Sequence, residues 1–568
     1  MGRNMKNIII VECASTGTNY VQDIIDRNYN PIVLETRTFN DSKESMEYHE
    51  NLIKTSYERI DNEFELIHEK ETYEDTLEMV KAYDPLLVLP GSEKGVILAT
   101  KLANDLNLLC NPIENLDAMT LKDEMHQRLA EKGIRHIKGR VVSSIEEAIE
   151  YYEMEGLNKV VVKPIYSAGS VGVRICENKE EMVNSIEEVL DLRGIYGNEY
   201  DEILIQEYIN GTEYIVNTVS CNGMHRITTL WKYNKTTTKE GGQVYDYQTT
   251  INELGLGESE LIEYAYDVLD AIGIKYGPVH GEYMVDENGP VLIEVNCRPC
   301  GANMDAKFLD SISGQHETDS SLDAYLNPAK FELERKKEYN PNGHGIIKFF
   351  ITPKDLIAKS SPMKYISNKL KSHYKTSLTP IIDDTPFEKT IDMETTSGAV
   401  YLAHKDPYQT EKDMIFLRAI EQNAFQLILS EELDTDINPD EDENNDMKTF
   451  IKDIEAFGTC ILISDTLYDD LNITQITPQE LKDINGNYDV VIVNLNESLS
   501  IYKDDQIAKF ILNTFDRIKE GGLIIIPRTT YNALPNGRLG AEALIKTFDL
   551  KIQLPLHKFP KMLIASKK

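Results

Sequence analysis

Glu282, Glu294, Asn296 and Arg298 fall in two strand-like segments joined by a short polar turn. The first runs His280-Gly281-Glu282-Tyr283-Met284-Val285, the turn is Asp286-Glu287-Asn288-Gly289, and the second runs Pro290 to Arg298. Strand segments flanking a glycine-containing turn predict a β-hairpin. Side chains alternate between the faces of a strand, so Glu294, Asn296 and Arg298 share one face while Ile293 and Val295 take the other. A three-residue loop, Glu287-Asn288-Gly289 with Gly289 at positive φ, pairs Asp286 with Pro290 and sets Glu282 opposite Glu294. Two carboxylates facing across a ladder repel. A divalent cation would relieve that repulsion, and Glu282, Glu294 and Asn296 supply the hard oxygen ligands that Mg²⁺ takes. Arg298 would then meet phosphate oxygens left uncovered. The plain alternative is an exposed polar hairpin face with an Arg–Glu pair. His280, on the face of Glu282, either orients a substrate or is a hydrogen-bonded structural histidine.

Upstream, Val160-Val161-Val162-Lys163-Pro164 runs into Ser167-Ala168-Gly169-Ser170-Val171-Gly172. A lysine closing a buried strand ahead of a small-residue loop suits phosphate, because backbone N–H groups can approach the oxygens closely. No Gly-Lys-Ser/Thr ends the loop, so it is not a P-loop, and a flexible glycine turn explains it equally well. The strand Ile203–Ile209 leads to Asn210-Gly211-Thr212-Glu213. Its end can offer backbone groups to an adenine edge, with Glu213 placed to accept from ribose hydroxyls. Trp231-Lys232-Tyr233-Asn234-Lys235 holds the only tryptophan, read either as lying near a nucleotide or acceptor or as a packed aromatic.

These residues need a scaffold, and 568 residues provide three or four folded units at about 100–200 residues each. Ile8–Val11, Pro31–Leu34 and Leu86–Leu89 are apolar runs alternating with helical stretches, which predicts a doubly wound α/β domain over 1–112. Its first turn lacks G-x-G-x-x-G, so no dinucleotide site is expected there. Mixed segments follow over 113–195 and 196–430. Glu431 to Asp446 holds nine acidic residues and no basic one, so 431–449 is expected to be a linker. Residues 450–568 form a compact tail, with strands at Val490–Val493 and Leu523–Ile526 and Gly521-Gly522 as the turn before the second. Acidic residues outnumber basic ones 95 to 59, a net charge of −36. That balance argues against nucleic-acid and anionic-membrane partners. Seven scattered cysteines fit a reducing compartment, and Cys297-x-x-Cys300 lacks the partners of a zinc site. The apolar run near the N-terminus is too short for a signal peptide or a membrane span, so a cytoplasmic location is expected.

Taken in order, these segments resemble the ATP-grasp superfamily of carboxylate–amine ligases, in particular the L-amino acid ligase branch that makes dipeptides. The resemblance covers about residues 7–430. It rests on Gly91-Ser92-Glu93-Lys94-Gly95-Val96 with Asn111-Pro112, Lys122-Asp123-Glu124-Met125, Val162-Lys163-Pro164 with the following loop, Gln206 to Glu213, and Glu282 with Glu294-Val295-Asn296-Cys297-Arg298. It implies that Lys122 and Lys163 contact ATP phosphates and that a loop of Ser167, Ala168, Gly169, Ser170 and Gly172 closes over them. It further implies an adenine hinge at Gln206, Glu207, Tyr208 and Ile209, and ribose binding by Glu213. Glu282, Glu294 and Asn296 would hold Mg²⁺ (or Mn²⁺), and Arg298 would act catalytically on the transferring phosphate and the later oxyanion.

The implied fold is α/β and α+β multidomain: an N-terminal doubly wound α/β domain, a bilobal ATP-grasp core and a C-terminal Rossmann-like α/β domain. The implied reaction joins a small-molecule carboxylate and an amine through an acyl phosphate, releasing ADP. Alternatives are a ligase with a non-amino-acid acceptor, a carboxylase-like relative, and a nucleotide-bound scaffold. The oligomeric state is open, a homodimer included. Pro299-Cys300-Gly301-Ala302 departs from the glycine-rich run of many relatives and leaves the substrate pocket's shape undetermined. The tail resembles the later half of a class I methyltransferase sheet without its glycine-rich first turn, and is expected to be an inert remnant or a docking module.

Overall fold

Short buried runs and amphipathic helices alternate from the N-terminus: β1 (Asn7–Val11), α1 (Asn19–Asp26), β2 (Asn30–Glu35), α2 (Lys43–Tyr57), β3 (Glu65–His68), α3 (Tyr73–Ala82), β4 (Leu87–Pro90) and α4 (Gly95–Asp105). Residues Ile8 to Val11 have no exposure at all, as a parallel strand covered on both faces requires. The sheet has the order β3-β2-β1-β4, with every pairing parallel. Apolar side chains from its two faces form two separate cores, one with Tyr20 and Ile24 of α1, the other with Leu98 and Leu102 of α4. These features come from a computed structural model, which describes residues 5–37, 43–164, 173–191, 202–237 and 243–352, and shorter stretches within 355–418 and 459–567.

A second layer comprises α5 (Leu116–Thr120), α6 (Lys122–Glu131), β5 (Gly139–Val142), α7 (Ile145–Met154), β6 (Val160–Pro164), β7 (Arg174–Cys176), α8 (Lys179–Asp191) and β8 (Ile203–Glu207). Its antiparallel sheet β5-β8-β6-β7 packs against α7 and α8. Ser144 caps α7 by accepting from the Glu147 N–H, the local signal that ends β5 and starts the helix.

The third layer holds β9 (Thr212–Cys221), β10 (Met224–Thr237), β11 (Gln243–Thr250), α9 (Leu256–Ile272), β12 (Tyr276–Asp286), β13 (Gly289–Asn296), α10 (Ala306–Ser313), α11 (Glu317–Leu326), α12 (Pro328–Arg335) and β14 (His344–Phe349). The strands neighbour one another as β13-β12-β9-β10-β11-β14, all antiparallel. Val216, Leu230, Val279 and Val295 bury one face against α9, α5 and α6. The opposite face carries polar and aromatic side chains into a cavity. Trp231 is fully buried on β10 with its ring 6.4 Å from Phe308 of α10, so it is a packed aromatic.

The chain divides into two compact units, one of Met1–Phe349 with Thr390–Thr396 and Tyr401–Thr410, the other of Phe350–Lys389, Ser397–Val400 and Glu411–Lys568. In the second unit, strands run in the order Thr474–Ile476, Cys460–Ser464, Tyr488–Asn494, Ile518–Pro527, Met562–Ser566, Lys551–Gln553. The first four are parallel, and Met562–Ser566 is antiparallel to both of its neighbours. Gly521-Gly522, expected as a turn, lies inside the strand Ile518–Pro527. The stretch 431–449 falls outside the described residues.

Candidate active site

The hairpin β12–β13 sets Glu282 opposite Glu294, by a different route from the one the sequence suggests. The turn is one residue shorter than expected: Asp286 pairs with Gly289, which has φ +98°, and Val285 pairs with Pro290. That register alone would place Glu282 across from Ile293. A bulge between Glu282 and Tyr283 intervenes, with Tyr283 pairing to Leu292 and Glu282 to Glu294, so Ile293 is the extra residue. The bulge has a second effect. Ile293 and Glu294, neighbours expected on opposite faces, both line one cavity of about 370 Å³.

Cations crowd this pair. Lys122, at the start of α6, places Nζ 2.6 Å from Glu294 Oε2. Lys163, at the end of β6, is 6% exposed and lines the same cavity. Burial pulls the Lys163 ammonium down to about 8, and the Lys122 charge adds to the effect. Burial alone would raise Glu294, but Lys122 and Lys163 outweigh it and hold the carboxyl well below the usual range. For Lys122, burial lowers the pKa and Glu294 more than restores it. Asn296 Nδ2 donates to Glu294 Oε1 at 3.4 Å, and Asn296 is buried. The strand ends at Asn296, so Arg298 reaches the cavity from a bend stabilised by its own N–H donating to Asn296 O, and not as a strand residue. Its Nε donates to Glu93 Oε2 at 3.0 Å.

Glu93 comes from the turn after β4. That turn packs on the turn after β1 through glycines: a Cβ on Gly17 would stand 1.9 Å from Gly91 O. The two turns then bond the segment that follows β13, Glu93 to Arg298 and Thr16 to Gly301 and Met304. The sequence marks Glu93 as part of a motif but gives no sign of its partner, 205 residues away.

One end of the cavity is the predicted hinge, with Gln206, Glu207, Tyr208 and Ile209 all lining it. The Glu207 and Tyr208 N–H groups donate to Lys138 O and Lys159 O, which ties the hinge to both flanking strands. Glu213 lies beside the hinge, with Oε2 2.6 Å from Lys235 Nζ and Oε1 accepting from the Tyr245 hydroxyl. Burial, only partly offset by Lys235, raises its carboxyl pKa. The loop of Ser167, Ala168, Gly169, Ser170 and Gly172 lies outside the described residues.

Tyr233, Gln248, Phe349, Ala302 and Met304 line the same cavity. Sequence reasoning reaches Tyr233 only within a segment lying near a nucleotide or acceptor, and Ala302 only within a stretch that leaves the pocket's shape open, and it passes over the other three. For Tyr233 and Gln248, which pair across β10 and β11, the signal is the strand period, obscured by a register shift between Asn234 and Lys235. His280 is anchored here: Nδ1 lies 2.8 Å from Asn217 Oδ1 and Nε2 3.2 Å from Glu282 Oε1. Asn217 in turn bonds Thr229 Oγ1 at 2.8 Å, so the ring is held by a buried polar chain.

Residues 157–306, which include the hairpin, the hinge and Lys163, match the family model described as an ATP-grasp domain. This part of the chain is an ATP-grasp domain. Dapdiamide A synthase of Enterobacter agglomerans is 28% identical over 365 residues, 63% of this chain and 84% of the relative. The carbamoyl phosphate synthase large chain of Clostridium acetobutylicum is 27% identical over 233 residues, 40% of this chain but only 21% of that relative. Among solved structures, an L-amino acid ligase from Bacillus licheniformis aligns with a TM-score of 0.55 at 16% identity, covering 74% of this chain and 98% of that one. That likeness is one of fold and reaches well beyond the matched domain.

The ATP-grasp domain's donor set fits a hard divalent cation: two carboxylates in direct cross-strand apposition, with an amide hydrogen-bonded to one of them. A second cluster, Asp23, His316 and Asp319, is committed otherwise. His316 lies between Asp23 and Asp310 at 3.0 and 2.7 Å, and Arg27 bonds Asp319 at 2.7 Å, so its charges are matched by protein cations. All seven cysteines are free thiols, Cys297 and Cys300 included. Among the described residues no helix is long and apolar enough to cross a membrane.

Proposed function

We propose that this chain is an ATP-dependent carboxylate–amine ligase that forms an amide or peptide bond between small amino-acid-like substrates, releasing ADP and phosphate. The observation that carries the reading is the convergence of Glu282 and Glu294 with Lys122, Lys163 and Arg298 in one cavity that also holds the hinge. Such a site works by charge neutralisation and positioning and needs no covalent nucleophile.

In this reading Gln206 to Ile209 receive the adenine, Glu213 the ribose, and Lys122 and Lys163 the phosphates. Glu282, Glu294 and Asn296 would hold magnesium, which supplies Lewis-acid neutralisation of phosphate charge when bound. Lys163 with a pKa near 8 is mostly cationic at neutral pH and so keeps its charge for phosphate. The substrate carboxylate takes the γ-phosphoryl group, giving an acyl phosphate and ADP. The amine nitrogen then bonds to the acyl carbon, the C–O bond to phosphate breaks, and the nitrogen loses a proton. Arg298 stands where it can neutralise first the transferring phosphoryl group and then the oxyanion.

We further propose lobes at 113–195 and 196–430, a Rossmann-like module at 450–568 outside the chemistry, and a cytoplasmic setting supported by the free thiols. Coupled ADP release over a matrix of amino-acid pairs, with mass detection of products, tests the ligase reading. A pair-dependent signal whose product mass is the sum of both substrates less water supports it. ADP release stimulated by bicarbonate alone, or none with any pair, overturns it.

A further inference from the structure

One part of the cavity wall is a five-residue loop, Cys300 to Met304, four of whose residues line the cavity. Cys300, Gly301, Ala302 and Met304 line the cavity directly after Arg298. Ala302 and Asn303 have φ of +62° and +48°, two consecutive non-glycine residues in the left-handed region. Side chains with a Cβ resist that conformation, and it persists only where the surroundings impose it.

The surroundings are the N-terminal α/β layer. Thr16 Oγ1 donates to Gly301 O at 2.9 Å and accepts from the Met304 N–H at 3.0 Å, spanning the two left-handed residues. The Asn303 N–H donates to Ser15 Oγ at 3.2 Å, and Asn19 Nδ2 donates to Met304 O at 3.0 Å. Arg59 grips Asn303 twice, Nη1 to Oδ1 at 2.8 Å and Nη2 to the backbone oxygen at 3.1 Å. Beyond that layer, Glu317 Oε2 accepts from the Cys300 N–H at 2.6 Å and the Tyr401 hydroxyl donates to Ala302 O. Backbone groups of all five loop residues are thus held by side chains from outside the loop, and five of these seven bonds come from the N-terminal layer.

We propose that Thr16, with Ser15, Asn19 and Arg59, is a positioning clamp that fixes the substrate-facing loop, so that the N-terminal layer governs which small substrate the ligase accepts while the nucleotide end is set independently. The identity of the bound molecule as a ligase substrate rests on the function proposed above, but the clamp itself rests only on the geometry. Loosening it lets Ala302 and Asn303 relax toward ordinary backbone angles, which moves the wall formed by Ala302 and Met304. Nothing in the clamp touches Gln206–Ile209 or Glu213.

Thr16→Val keeps the shape and removes both hydrogen bonds, while Thr16→Ser restores them. Hydrogen exchange of peptides spanning 299–305 should accelerate about tenfold or more in Thr16→Val, with Thr16→Ser matching the parent. In the ADP-release assay, KM for one of the two joined substrates should rise about tenfold or more, with KM for ATP within about twofold. Unchanged exchange in Thr16→Val overturns the clamp; so does a rise in the ATP KM equal to that for the substrate. Should Thr16→Val not fold, Arg59→Gln, which removes the bonds to Asn303 and to Ser15 O, is expected to give a smaller acceleration of the same sign, and its absence overturns the proposal. Lack of ADP release by the parent enzyme would instead defeat the ligase reading, leaving hydrogen exchange to judge the clamp.

Discussion

Lys122 puts positive charge beside Glu294, the charge-balancing role that a cation between Glu282 and Glu294 would share. Replacing it by methionine preserves the apolar stem and deletes the ammonium 2.6 Å from Glu294. The remaining carboxylates face one another across the ladder, with Lys163 left as the cation acting on Glu294. Removing one partner of a buried pair costs about 3–5 kcal/mol. Here the side chains retain 13% and 16% exposure, so water screens part of the loss and about 2–4 kcal/mol is expected. At about 2 °C per kcal/mol for a cooperative unit of this size, the unfolding midpoint in EDTA should fall by roughly 4–8 °C. Millimolar Mg²⁺ should then recover more of the midpoint in Lys122→Met than it adds to the parent, because in the parent the ion must displace the lysine. Differential scanning fluorimetry with EDTA or Mg²⁺, and no nucleotide, measures both quantities. A variant that melts with the parent in EDTA, or gains no more from Mg²⁺, refutes the stand-in role.

Glu294→Gln should reduce ADP formation by about a hundredfold or more, since one of two apposed carboxylates is lost; an unaltered rate removes Glu294 from the site. His316 offers a pH test: burial lowers its pKa, but the hydrogen bonds it donates to Asp23 and Asp310 raise it to about 10. Its contribution to stability is full below about 6.5 and lost as pH climbs through 10. The stability advantage of the parent over His316→Gln should therefore shrink between pH 6.5 and 10, and parallel denaturation curves would contradict the assignment. Trp231, the only tryptophan, is 0% exposed and outside the cavity. Its emission should be blue-shifted, poorly quenched by acrylamide and unmoved by saturating ATP; a nucleotide-dependent shift would place it at the site.

The parts of this site that the sequence reveals are those encoded by neighbours along the chain. Ile8–Val11 reads as a buried strand because every residue in it is apolar, and the period of two finds Glu282, Glu294 and Asn296 because their spacing is local. What the sequence conceals depends on distant partners. No pattern within β13 announces that Ile293 is a bulge residue, since the cause lies in the pairing with β12. Gly521-Gly522 looks like a turn by composition, yet both glycines fall at an irregularity inside one long strand, between the pairs Tyr488–Ile518 and Val490–Leu523. Thr16 and Met304 are 288 residues apart, and a lone threonine in a small-residue turn carries no trace of the bond between them.

The hairpin at the heart of the site also has two solutions to one constraint. A two-residue turn with a bulge at Ile293, and a three-residue turn with none, both leave Glu282 facing Glu294. They differ only in the segment Gly289 to Ile293, which slides by a single step while the acidic pair stays put. Insertions or deletions near the tip can therefore be absorbed before they reach the carboxylates, but each such slip reorients Ile293 and so redraws the cavity's apolar lining. The hairpin thus insulates its chemistry from errors at the turn and passes their effect to shape.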